Sequence, residues 1–389
     1  MRIAVALTLL SAACGRFGFD RAAVSDDEAG DAPPPTIDTG PAATLACNTP
    51  SRFPIGAANL SKLTATAVGN GFAVFGVDTA GRLAGWSYQF DATGALVAVA
   101  QDVTIDGDIA DNLGAAAIGD DIVLAAITGR ISPTGTRLYP LDAALAPRGS
   151  KQSYAEFAGT VPLAAHGGKL AFLASQGSLQ VEARRVSTLG VTVGAPTVVA
   201  PAALRAGNVA IAPRGTGWIA TWVGAVASPN SVDTALLDES LAVVAGPVGG
   251  NATMFDPIQP RAAWAKGSGT YLFTWYAKNA VDDDELFVQL ADANLDAIGT
   301  TVLATSFSYA PSVASDGTDF WLVWNNYNLA RLETMRVSAA GVLSAAAPVT
   351  TSGGVPGQWT MVERLGQAVL VWAEVGGSGP DLWISALCP

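Results

Sequence analysis

Gly217-Trp218-Ile219-Ala220-Thr221-Trp222 decides the fold, because the chain repeats its pattern three more times. Gly269-Thr270-Tyr271-Leu272-Phe273-Thr274-Trp275, Phe320-Trp321-Leu322-Val323-Trp324 and Gly366-Gln367-Ala368-Val369-Leu370-Val371-Trp372 are apolar runs that also close on tryptophan. Three earlier runs end on a small residue: Phe72-Ala73-Val74-Phe75-Gly76, Ile122-Val123-Leu124-Ala125-Ala126 and Leu170-Ala171-Phe172-Leu173-Ala174. The terminal residues of the seven runs lie 50, 48, 48, 53, 49 and 48 residues apart. So even a period marks one supersecondary unit written seven times.

Each unit has the same grammar. A short strand comes first, as in Ser312-Val313-Ala314 or Arg261-Ala262-Ala263-Trp264, then a glycine turn such as Asp316-Gly317, then the apolar run. Glycine suits such turns because they often need positive φ. An alternating strand follows, for example Leu332-Glu333-Thr334-Met335-Arg336-Val337, and period-two alternation marks a half-buried strand. Turns such as Asp91-Ala92-Thr93-Gly94 then lead to a fourth strand, where Pro348 fits an edge position. Four antiparallel strands per 48 or so residues make a β-propeller blade. The expected fold is all-β, a seven-bladed β-propeller of four-stranded antiparallel blades. Six blades plus a stray sheet is the competing arrangement, because the earliest runs lack tryptophan.

Composition agrees and excludes. Among 389 residues, 42 Gly and 22 Pro disfavour helical bundles. A net charge of −12 argues against nucleic acid as a partner. One histidine, His166, excludes any site built from two imidazoles, and beside Gly167-Gly168 it reads as a turn residue. Neither a Gly-x-Ser-x-Gly elbow nor a phosphate-binding loop is present. Ser315-Asp316-Gly317-Thr318-Asp319-Phe320-Trp321 has a superficial likeness to the Asp-box of sialidases, compressed and at the wrong turn of the blade. Asp282-Asp283-Asp284-Glu285 offers oxygen ligands to Ca²⁺, but lacks the alternate spacing and turning glycine of calcium loops, and reads as a solvated loop. No cofactor is expected. The loops after the apolar runs fall on one face, and Asn325, Asn326 and Tyr327 are candidates there for ligand contact, with Asp282, Asp283 and Asp284 beside them.

The three cysteines divide as one and two. Met1-Arg2, an apolar stretch from Ile3 to Leu10, and Ser11-Ala12-Ala13-Cys14 make a signal peptide over 1–13. Its end resembles a bacterial lipobox, which implies lipidation of Cys14, although Ser11 stands where leucine is usual. Residues 14–46, acidic and Pro-rich, read as a tether without a core, and 47–389 as the propeller. The seventh unit runs out of chain after three strands, and Pro50-Ser51-Arg52-Phe53-Pro54-Ile55 resembles a fourth. An N-terminal strand therefore completes the last blade. Cys47 and Cys388 then stand where every other blade has a hairpin turn, so a Cys47–Cys388 disulfide is expected in its place.

Units of this form resemble those of secreted bacterial propeller lipoproteins, with a WD40-like or FG-GAP-like repeat architecture. The resemblance covers roughly residues 50–388 and implies fold and an outer-membrane address, facing periplasm or surface. It implies no activity. The expectation is a non-enzymatic, lipid-anchored binding module whose partner is a protein or glycan of the cell envelope. A scaffold in an outer-membrane assembly is the alternative, and a glycan-active enzyme the third reading.

Overall fold

The structure, a computed structural model, describes residues 45–55, 60–78, 80–107, 110–128, 135–154, 162–176, 180–200, 205–224, 231–249, 257–278, 284–306, 308–349, 355–376 and 379–388. The expected leader, Cys14 and nearly all of the expected tether lie outside them. The described residues form 28 strands in seven four-stranded antiparallel sheets. Six sheets use four consecutive strands; the seventh joins the first described strand to the last three.

The inner strands are Leu60–Val68, Ala110–Ile118, Leu163–His166, Arg205–Arg214, Pro257–Ala265, Ser308–Ser315 and Val355–Arg364. Each packs beside the next, and the last packs beside the first, so the ring is closed. All but Leu163–His166 run longer than the sequence pattern indicates. The reason is a break in register within each of the other six, as between Ile258 and Arg261 or Tyr309 and Ser312. A bulge hides a strand from a period-two reading because it shifts the alternation by a residue.

The apolar runs are the second strands, buried from end to end in blades one and four. Trp222, Trp275, Trp324 and Trp372 are almost fully buried, and each belongs to a core shared with the preceding blade. Burying a side chain of this size stabilises by about 1.5–3 kcal/mol or more, so four of them weld that half of the ring. Blade one closes its run on Gly76, where a Cβ would lie 2.9 Å from both δ-carbons of Leu60 and that side chain would have to move.

Third and fourth strands are joined by one recurrent turn. In Asp142–Ala146 the Asp142 carboxylate accepts from Ala144 N (2.9 Å) and Ala146 N (2.8 Å). Asp91, Asp238 and Asp292 make the same pair of bonds. Ser187 and Ser338 accept only the second, from Val191 and Val342. The fourth residue has positive φ in all six: Gly94, Leu145, Gly190, Leu241, Leu295 and Gly341. Leucine in that conformation costs about 1–2 kcal/mol. Burial of Leu145, Leu241 and Leu295 in the cores between blades offsets it.

Blade seven lacks this turn, and Cys47 and Cys388 take its place in a disulfide with Cα atoms 5.4 Å apart. Ser51–Pro54 pairs antiparallel with the last strand, Ser51 opposite Ile384 and Pro54 opposite Asp381. Arg52 pairs with Asp381 at 2.7 Å, and Gln367 exchanges two hydrogen bonds of 3.1 Å with the backbone of Leu45. Between blades seven and one, Arg364 lies over Phe90 and donates to Asn70. Residues at both ends of the described ring thus serve one seam.

Candidate functional site: the axial channel

Two cavities lie on the ring axis and share wall residues Ala65, Ala115, Leu163, Ile211, Ala262 and Met361, which form a waist. The first, about 550 Å³, opens beside the turns between inner and second strands. The second, about 470 Å³, opens toward the connections between blades. Cavities of this size suit small-molecule ligands.

The turn-face chamber carries mixed charge: His166, Arg214, Lys266 and Glu363 all line it. His166 ends blade three's inner strand, edge-on to Trp218 and 3.9 Å from Glu239, which Lys169 also holds. Glu363 opens to channel solvent, but the surrounding walls desolvate it and Asp316 adds like charge, pushing its pKa up to about 7. Asp316 itself closes the turn before Phe320, accepting from Thr318 N, Asp319 N and the Trp321 indole. The segment likened to an Asp-box is therefore a turn between first and second strands.

The loop-face chamber differs. Its charged wall residues are Lys62 and Arg261, and no carboxylate joins them among the described residues. They belong to blades one and five, three places apart in a ring of seven, and so face each other across the channel. Arg261 donates to the Pro260 carbonyl (3.0 Å) and makes no ion pair among the described residues. Burial of its guanidinium pushes the pKa down. Asn112, Gln259 and Gln358 add side-chain amides, Thr360 a hydroxyl. Trp359 adds a ring whose indole N–H donates to Ala310 O at 3.0 Å. The bulge that lengthens blade five's inner strand places Gln259 at φ 49° and turns Gln259 and Arg261 onto this wall.

Residues singled out in the sequence lie elsewhere. Asn325 and Asn326 end blade six's second strand, Phe320–Asn326, outside the chamber wall. The buried Asn326 amide donates to Glu333 (2.9 Å) and accepts from Leu329 N (3.2 Å), so it fastens its own blade. Tyr327 is 38% exposed in the following turn. Asp282 and Asp283 lie outside the described residues, and Asp284 begins a strand opposite Lys278. Among the described residues no three His, Cys, Asp or Glu side chains group as metal ligands.

Lys62 and Arg261 escaped the sequence reading because they are 199 positions apart and belong to no motif. Repeat alignment exposes one of them. The residues that pair with the second strand at Arg261's level in five of the six sister blades are Thr64, Gly114, Ala210, Ser312 and Thr360, blade three's shorter inner strand starting beyond that level. All are small; blade five alone places an arginine there.

No protein-family model matches this chain, and no curated protein matches it. Solved structures do match. A chain of the mitotic checkpoint complex aligns with TM-score 0.53 at 14% identity, over 89% of this chain and 97% of that one. Hydrazine synthase of Kuenenia stuttgartiensis aligns with TM-score 0.50 at 13% identity, over 84% and 96%. BamB from Moraxella catarrhalis aligns with TM-score 0.44 at 11% identity, over 84% and 85%. At such identities the likeness conveys fold alone.

Proposed function

We propose that this chain is a non-enzymatic binding module, held at the bacterial cell envelope by a lipid on Cys14, with the axial channel as its ligand site. The observation that carries the reading is the loop-face chamber. Inner strands of several blades present amides and cations to one recess while the closed ring fixes their spacing. Pre-set geometry of this kind lowers the ordering cost of binding. The envelope address rests on the sequence from Met1 to Cys14, and Gly15 after the cysteine, where Asp is absent, favours the outer membrane by resemblance to lipoproteins of Gram-negative bacteria.

Labelling with a fatty-acid analogue during expression in a Gram-negative host tests the anchor. The full chain is expected to take up label and sediment with outer membranes, and Cys14→Ser to do neither. An unlabelled, soluble product cleaved after Ala13 would overturn the anchor.

A scaffold role is the second reading, favoured by a different observation. Fourth strands of adjacent blades three and four expose Val193 and Val198, and Val243, Val244 and Val248. Apolar edge strands on the outer rim are surfaces that a partner's strand can extend.

A further inference from the structure

We infer that the loop-face chamber binds a small acidic sugar, with its carboxylate on Arg261 and its hydroxyls on the chamber's amides. The inference deepens the binding reading above and rests on it. A confined guanidinium is the starting point. Arginine carries five N–H donors, and Arg261 shows one hydrogen bond, to Pro260. Arg261 is half-buried on the wall of a water-filled chamber, where the surrounding walls raise the cost of a charge left without an anion. The chain has 33 acidic residues against 21 basic ones. Even so, none of the acidic ones joins Lys62 and Arg261 on the described chamber wall. The site is built to leave the cation open, in the one blade where sister positions are small.

The shape of the missing anion follows from the fork. Guanidinium matches a planar carboxylate through two parallel hydrogen bonds, whereas ammonium offers a point charge. Lys62 across the channel adds long-range attraction. The rest of the wall asks for hydroxyls. Asn112, Gln259 and Gln358 show no hydrogen-bond partner among the described residues, and each amide both donates and accepts. Trp359, fixed by its bond to Ala310, adds apolar surface to the same wall. A carboxylate attached to a compact polyol uses all three features; an inorganic anion uses only the charge. The recess, walled by inner strands, admits a small molecule.

Calorimetric titration of the full-length protein tests this with three probes: glucuronate, glucose and sodium sulfate. Glucuronate is expected to bind one per chain, at least about tenfold more tightly than either of the others. Arg261→Gln is expected to lose at least about tenfold in affinity and Arg261→Lys to fall between, with thermal melting showing both variants folded. Lys62→Gln should weaken binding less and reduce its salt dependence. Sulfate binding as tightly as glucuronate would overturn the sugar, and an unaffected Arg261→Gln would overturn the anchor. No heat from glucuronate at about 10 mM would overturn the site. NMR of the recovered ligand separates this inference from the reading beneath it. Intact glucuronate supports both, whereas a chemically altered sugar supports the chamber and removes the non-enzymatic reading.

Discussion

The two faces of the ring are built from the same seven units and treat them differently. On the turn face, six third-to-fourth turns close in one conformation around an Asp or Ser side chain, and a disulfide substitutes in the seventh. On the loop face, equivalent inner-strand positions diverge from blade to blade, and blade five's Arg261 stands among Thr64, Gly114, Ala210, Ser312 and Thr360. The channel follows suit: carboxylate and cations share one end, and cations alone hold the other among the described residues. Repetition builds the scaffold. Departure from repetition marks the chamber proposed to hold a ligand.

The largest perturbation cuts the covalent link at the seam between the two ends of the ring. Cys47→Ser with Cys388→Ser frees a closure spanning 341 residues, worth on the order of 5 kcal/mol in the chain-entropy model. Melting is expected to fall sharply and to become insensitive to reductant. An unchanged melting temperature would remove the disulfide's role at the seam.

Glu363 distinguishes the faces by pH. Its folded pKa, about 7, stands above the unfolded 4.5, so the folded state binds the proton more tightly. The stability it contributes is full below 4.5 and is lost as pH rises through about 7. Glu363→Gln should therefore flatten melting temperature between pH 5 and 8, with wild type falling and the variant not. A parallel fall in both proteins would contradict the assignment. Ligand binding at the loop face should not change.

Smaller effects probe the repeated turn. Asp238→Ala removes bonds to Ser240 N, Ser240 Oγ and Ala242 N at an exposed site, and about 1 kcal/mol of stability is expected to go. Leu241→Gly sets relief of backbone strain against loss of a buried side chain, with a net loss of about 1–2 kcal/mol in denaturant titration. A gain in stability would mean that strain, not packing, dominates that position.

The scaffold was legible because its cause is periodic. Tryptophans recur where each blade buries a second strand against its neighbour, and glycines recur where hairpins need positive φ. The seam was legible because a truncated last unit left one strand and one turn to be supplied. Strand lengths were not, since bulges break alternation within six inner strands. The proposed site was hidden for a related reason: Lys62 and Arg261 reach the wall of one chamber only through the curvature of the ring, and no spacing along the chain records it. Asn326 holds Glu333, a bond within the blade that its place at a strand end does not announce.

A crystal structure of the full chain grown with glucuronate tests the central claim most directly, by showing which end of the channel is occupied. One sugar is expected in the loop-face chamber, its carboxylate within about 3 Å of the Arg261 guanidinium. An empty chamber, or a sugar seated instead among His166, Lys266 and Glu363, would contradict it.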